Sequence, residues 1–343
     1  MINMLNEAIQ KKGLVEIAKI LNININTLKR WKDKKEVPEY YYFELCKILG
    51  IEIDYSKFSY KEKDQFYTSK ETAKYCINKT KEILKSYDIN FNDYSFIEPS
   101  AGNGVFLDFL PNDTVAFDIE PRDTRITKQD FLEWNSNNSK RIIIIGNPPF
   151  GLRGHLALKF INHSYNFADF VCFILPPLFN SDGKGTPKRR VKGYKLIYSE
   201  ILNNNNYYYP DNKEVKINTI FQIWTKLPLN NEEITIEEPN NYKIYSLSDG
   251  GTPSSTRNKN KLYICDIYLP STCYGENNMK EYENFEELPQ RRGYGIIFND
   301  KNDIRKIKNT INWKEIAFIS TNNSFNLRTS LIIKAINSQL NKE

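Results

Sequence analysis

Four consecutive isoleucines run into Asn-Pro-Pro-Phe in the segment RIIIIGNPPFG, residues 141–151. A β-branched run with no polar alternation reads as a strand covered on both faces, the signature of a parallel sheet interior. The two prolines donate no backbone hydrogen bond, so they end that strand in a rigid turn. The same rhythm surrounds it. SFIEPSAGNGVFLDFL reads as an apolar strand ending in an acid, a glycine turn and an amphipathic helix; TVAFDIEP is a second strand ending in acids; FADFVCFILPPLF is a fourth. Strands alternating with helices from about Lys61 predict an α/β doubly wound sheet whose ligands lie at the carboxyl ends of the strands.

Those ends carry the chemistry. Gly102 and Gly104 follow Glu98 and let backbone approach a ligand closely, although the spacing is neither the GxGxxG of dinucleotide binders nor a phosphate loop. Asp118 ends the next strand, where a carboxylate can accept two hydrogen bonds from ribose hydroxyls. Asp130 in KQDFLEW is placed for an adenine amino group, with Phe131 beside the ring. The side-chain oxygen of Asn147 and the carbonyl of Pro148 form a pair of acceptors suited to an NH₂ group, and Phe150 offers a flat apolar face. Any one of these acids alone would read as a loop carboxylate or a helix cap; three at successive strand ends read as a site.

Composition narrows the class. Lys and Arg number 48 against 42 Asp and Glu, a net charge of +6, a mild excess that fits a phosphate-bearing partner without demanding one. The apolar runs 142–145 and 170–175 are far too short to span a membrane. The opening MINMLNEAIQKKG lacks the apolar centre of a secretion signal. Five scattered cysteines and two histidines supply no metal-ligand spacing. The expectation is a cytoplasmic protein with no metal and no membrane partner.

Two further regions flank the α/β unit. In LVEIAKILNININTLKRWKD, residues 14–33, Ile17, Leu21, Leu28 and Trp31 place one apolar face across a helix, a break and a second helix. Ala18 sits at the crossing, and Asn22 at a turn position that needs positive φ. These positions resemble a Cro or phage-repressor helix-turn-helix, whose second helix would turn Asn26, Thr27, Lys29, Arg30 and Lys32 towards DNA. A plain helical bundle packed on the next domain fits the same pattern. VPEYYYFELCKILGI then reads as a closing helix entered through Pro38 and ended at Gly50. Residues 182–195 concentrate Lys184, Lys188, Arg189, Arg190, Lys192 and Lys195 in a Gly- and Pro-containing stretch, read as a mobile phosphate-contacting loop or a solvated one. Beyond the acidic break 230–241, short strands and turns place Arg257, Lys259, Arg291 and Arg292 in loops that could reach DNA.

In this order, IEPSAGNG, FDIEP, QDFLEW and IGNPPFG resemble the γ-type N6-adenine DNA methyltransferases. FYTSKETAKYC, residues 66–76, is similar to that family's first cofactor motif, with Ser69 where proline is usual. The resemblance covers roughly residues 60–228. It implies a Rossmann-like, class I methyltransferase domain over 60–228, a helix-turn-helix domain over 1–53 and an α+β target-recognition domain over 242–343. The implied cofactor is S-adenosyl-L-methionine. Thr68, Glu98, Ala101 and Gly102 would then meet its amino-acid end, Asp118 its ribose, and Asp130 with Phe131 its adenine, with Asn147 also lining the cofactor. Asn147 and Pro148 would accept from the target N6 amine, Phe150 would stack on the flipped base, and Pro149 and Tyr209 are candidate substrate contacts, Tyr209 as the opposite wall or an ordinary loop tyrosine.

The expected activity is site-specific methylation of adenine N6 in double-stranded DNA by a monomer or weak dimer, with a cognate restriction endonuclease as a candidate partner. The front module would regulate a gene or extend the DNA footprint. The alternatives are a methyltransferase acting on RNA adenine or a protein glutamine amide, and a DNA-binding regulator with an inactive methyltransferase domain.

Overall fold

A computed structural model describes residues 1–21, 23–136, 141–183, 186–202, 207–229, 241–251, 256–321 and 323–341. Asn22, Lys184 and most of the acidic break lie outside the described residues.

The centre is a mixed α/β unit built on seven strands: β1 Ser95–Glu98, β2 Val115–Asp118, β3 Thr127–Lys128, β4 Ile142–Gly146, β5 Phe170–Leu175, β6 Lys195–Leu202 and β7 Thr219–Thr225. Their order across the sheet is β3-β2-β1-β4-β5-β7-β6. The first five are mutually parallel, and β7 runs antiparallel to both β5 and β6. A sheet that winds outward both ways from β1 has its switch point between β1 and β4, where a crevice opens at the carboxyl ends.

The isoleucine run explains why both faces are covered. Ile143 and Ile145 point to one face, together with Phe96, Cys172, Ile174, Phe221 and Ile223, and meet Ala73, Cys76, Ile77 and Leu84 of a long helix, Lys70–Ser86. Ile142 and Ile144 point to the other, with Val171, Phe173 and Trp224, and meet Ala157, Leu158 and Ile161 of the helix His155–Ser164. All four isoleucines are at most 4% exposed. One expectation fails here. Gly102–Leu110, read as an amphipathic helix, is a succession of turns. Val105, Phe106 and Leu110 are buried all the same, so the apolar pattern reports burial rather than helical geometry.

Four helices precede this unit: α1 Ile2–Lys12, α2 Leu14–Ile20, α3 Ile25–Lys34 and α4 Tyr42–Leu49. Ile17, Ala18, Leu21, Leu28, Trp31 and Leu45 share one core with Leu5 and Ala8 of α1, a helix the sequence reading left unassigned. The Asn24 side chain caps α3 by accepting from the Asn26 N–H at 2.9 Å. Gly50, at φ 74°, ends α4 in the left-handed conformation. Counting onward, the helices over Lys70–Ser86 and His155–Ser164 are α5 and α6.

After the sheet, β8 Tyr242–Ser248, β9 Ile267–Pro270 and β10 Arg292–Phe298 form an antiparallel sheet in the order β8-β10-β9. With helices α7 Lys301–Ile307, α8 Trp313–Ile316 and α9 Thr329–Leu340 it encloses its own core around Leu269, Ile296, Trp313 and Ile336. Arg328 donates to the Ser181 hydroxyl at 3.1 Å, and Asn218 donates to the Asn323 side-chain oxygen at 2.7 Å, tying this unit to the central one. Among the described residues no helix is long and apolar enough to cross a membrane.

Candidate active site

Adjacent parallel strands deliver Glu98 and Asn147 to the switch-point crevice. Glu98 ends β1, is only 1% exposed, and its Oε2 has no hydrogen-bond partner. Burial first, and then the neighbouring charge of Asp118, pushes its carboxyl well above the ordinary range. Gly146 ends β4 beside it: a Cβ there would lie 3.3 Å from Glu98 Cγ, so glycine lets the two strand ends close together.

The glycine turn after β1 is held by the acid after β2. Asp118 accepts from the Gly102 N–H and the Glu120 N–H, each at 2.8 Å. Burial raises its carboxyl pKa and those backbone bonds oppose the rise. Ala101 is buried and donates its N–H to the Phe117 carbonyl at 2.9 Å. This turn faces the start of α5, whose cap is Ser69: its Oγ accepts from the Thr72 N–H at 3.2 Å. The residue that departs from the resembled motif therefore does a helix cap's work at the same spot. Between them lies a cleft of about 470 Å³ lined by Thr68, Asn103, Val105, Asp123, Arg125 and Tyr208, among others.

Thr68 connects the cleft to the asparagine turn. It lies on a two-residue strand paired with Tyr207, and its Oγ1 accepts from Asn147 Nδ2 at 3.1 Å. The Asn147 carbonyl in turn accepts from the Ser100 hydroxyl at 3.2 Å. With the amide oriented this way, Asn147 Oδ1 is buried and without a partner. An unpaired buried carbonyl oxygen costs of order 1–3 kcal/mol, so an acceptor left open here is a feature to be explained. Pro148 is buried beside it and Pro149 half-buried.

Two rings and the basic stretch are more enclosed than their sequence suggests. Phe150 is 5% exposed and packs edge-on against Phe66 at 5.3 Å, inside the core that faces α5. Phe131 is 1% exposed and enclosed by Trp134, Phe160, His163 and Phe167, so it too is core rather than a ring wall. The basic stretch is anchored where it is described: Thr186 is buried and donates to the Ser181 carbonyl at 2.7 Å, and Asn162 of α6 bonds the backbone of Arg190 and Lys192.

The remaining residues fall in separate places. Asp130 accepts from the Leu132 N–H at 2.9 Å and is ion-paired with Lys47 of α4. Tyr209 is half-buried and stacks on Tyr60, centroids 6.1 Å apart. Lys29 and Arg30 are exposed on α3. Arg189 is exposed, Lys188 pairs with Asp182 at 2.7 Å, and burial lowers the Arg190 guanidinium. In the last unit Arg257 is exposed, Arg291 is paired with Asp249, and Arg292 turns its Nε inward.

Two residues at the site escaped the sequence reading. Asp64 accepts from the Gly151 N–H, and Lys63 pairs with Glu120 at 2.8 Å with its side chain 7% exposed. Both sit in a charged linker whose composition resembles any solvated turn, and no spacing rule points to either.

Residues 114–230 match the family model described as the EDM2 methyltransferase-like domain, which takes in β2 to β7 and the asparagine turn. The central unit is thus methyltransferase-like. No curated protein matches this chain. Among solved structures, it is similar to a protein of Pyrococcus horikoshii described as a candidate RNA methyltransferase, at 18% identity and TM-score 0.31, over 44% of this chain and 85% of that one. It is also similar to protein 1320 of Thermoplasma acidophilum, at 17% identity and TM-score 0.33, over 46% and 86%.

Proposed function

We propose that this chain transfers a methyl group from S-adenosyl-L-methionine to the N6 amine of an adenine flipped out of duplex DNA. The observation that carries the reading is Asn147 Oδ1: a buried, unpartnered acceptor at the carboxyl end of a switch-point strand, fixed by Thr68 on one side and a double-proline turn on the other. An exocyclic amine bound there satisfies the acceptor, and the Pro148 carbonyl takes its second hydrogen.

An adenine N6 is a weak nucleophile because its lone pair is delocalised into the ring. Two acceptors on its hydrogens draw the nitrogen towards tetrahedral geometry and free that lone pair, so positioning and preorganised dipoles supply the rate. The cofactor, when bound, supplies an electrophilic sulfonium methyl. Thr68, Ala101, Gly102 and the unpaired Glu98 oxygen would hold its amino-acid end, Asp118 its ribose and Asp130 its adenine. The orphaned carboxyl oxygen of Glu98 fits such a cationic group. Phe150 packs against Phe66, and stacking on the target falls to Tyr209, the residue immediately after the strand that pairs with Thr68.

Extruding the base costs a few kcal/mol, which the flanking units offset by holding DNA. The exposed Asn26, Lys29, Arg30 and Lys32 of α3, read as the second helix of a helix-turn-helix, and Arg189 and Arg257 are suited to phosphate and groove contacts. The test is transfer of labelled methyl from S-adenosyl-L-methionine to duplex DNA, RNA and glutamine-bearing protein side by side. Label at adenine N6 in duplex DNA, lost in Asn147→Ala, is expected. Label in RNA or protein alone moves the reading to that substrate, and DNA binding with no transfer to any of the three makes the chain a regulator.

A further inference from the structure

The turn that links the helical unit to the sheet, Ser59–Gln65, touches three parts of the proposed site. It is a built structure: Ser59 donates its N–H to Glu62 Oε2 at 2.8 Å, and the Gln65 N–H closes the turn on the Tyr60 carbonyl at 2.8 Å. From it, Lys63 reaches Glu120, two residues beyond Asp118, and Tyr60 stacks on Tyr209. Asp64, held at φ 54°, points its carboxylate at the asparagine turn and accepts the Gly151 N–H at 2.7 Å. Burial raises the Asp64 carboxyl, while the backbone N–H groups of Gly151 and Phe150 pull it back down. A non-glycine residue in the left-handed region carries a conformational cost that surrounding contacts must offset, and aspartate is among the residues that tolerate it.

We propose that Asp64 is a positioning residue for methyl transfer: by holding the Phe150–Gly151 backbone it fixes where Asn147 and Pro148 present their acceptors. The Asn-Pro-Pro segment has few donors of its own, because both prolines lack an N–H. Its downstream end is therefore anchored at Gly151, whose N–H Asp64 accepts. The role rests on the activity proposed above. It also makes the linker part of the catalytic unit, so that a chain cut just before Phe66 would keep every strand of the sheet and lose the anchor.

The experiment uses the full chain with Asp64→Ala and Asp64→Asn. It reads turnover on duplex DNA, the dissociation constant for S-adenosyl-L-methionine, and amide hydrogen exchange over 147–153 and over α5. For Asp64→Ala, turnover is expected to fall about 100-fold, as for an ångström-scale misplacement of a catalytic group. Cofactor affinity should stay within twofold, and exchange should quicken at Gly151 but not in α5. Asp64→Asn, whose amide oxygen still accepts the N–H, should recover most of the turnover. Turnover within threefold of wild type in Asp64→Ala overturns the proposal. So does a parallel loss of cofactor binding and α5 protection, which would mark general loosening, and so does an Asp64→Asn variant no better than the alanine. A wild-type protein that methylates no adenine overturns the activity itself, and with it the role, whereas unchanged Gly151 exchange in Asp64→Ala removes the anchor alone.

Discussion

Lys47 and Asp130, 83 residues apart, are joined in an ion pair that ties α4 to the loop after β3. One turn earlier on α4, Glu44 accepts from Lys159 at 2.8 Å, so a single helix face is tied to that loop and to α6. Burial is the largest single influence and pushes the Lys47 ammonium down, but the hydrogen bond and charge of Asp130, together with Tyr55 and Glu44, outweigh it and hold the group above its ordinary range. With the Leu132 N–H on its other oxygen, Asp130 has both oxygens engaged. If Asp130 binds the cofactor's adenine, Lys47 competes for it. Lys47→Ala should therefore tighten S-adenosyl-L-methionine binding in calorimetry by up to about fivefold, the scale of a half-exposed pair of about 1 kcal/mol. Weaker binding would instead make Lys47 part of the adenine site.

Glu98 gives the cleanest pH signature. Its carboxyl is raised in the folded chain, so the native state keeps a proton that the unfolded chain has released. Stability is therefore highest below the ordinary value of 4.5 and falls as pH rises from there towards the folded value. Glu98→Gln removes the titrating group. Urea unfolding should find the variant more stable than wild type at pH 8, with the gap closing at about 1.4 kcal/mol per pH unit within the titration window and vanishing below the unfolded value. A gap independent of pH would mean that Glu98 does not titrate in this way.

Thr68 orients the Asn147 amide through one hydrogen bond. Thr68→Val keeps the shape and removes the acceptor for Nδ2, so the amide can rotate and offer NH₂ where an acceptor is required. Turnover should fall about tenfold, the worth of one hydrogen bond of roughly 1.4 kcal/mol, while the apparent affinity for DNA stays unchanged. A variant with wild-type turnover would show that the proline turn alone fixes the amide.

Much of this site was legible because strand ends are local facts. An isoleucine run stopped by two prolines announces both the central strand and the residue that follows it, and acids after Phe96–Ile97 and Ala116–Phe117 announce where the crevice lies. Ring exposure was not legible. Phe131 and Phe150 sit within motifs that carry polar residues, yet Phe160 and Phe66, distant in the chain, pack against them. The stretch after Gly104 carries a helix's apolar spacing, but its backbone turns because Gly102, Gly104 and the Asp118 and Arg125 contacts hold it otherwise. Asp64 and Lys47 were invisible for the same reason: their partners lie 87 and 83 residues away.

Gly102 tests whether the cradle and the asparagine turn are mechanically linked. Its φ of 55° is left-handed, and a Cβ would sit 2.8 Å from the Tyr67 ring. Gly102→Ala should therefore cost about 1–2 kcal/mol for the backbone alone. The clash adds to that and pushes Tyr67, the residue before Thr68, away from the turn. Displacing Tyr67 moves Thr68 and with it the Asn147 amide, so turnover should fall along with stability. Tyr67→Ala in the same chain removes the clash but not the φ cost. In a double-mutant cycle the pair should thus be less destabilised than the sum of the two single changes, with a coupling of at least about 0.5 kcal/mol. Additive effects would show that the ring yields freely and that the cradle does not transmit to Asn147.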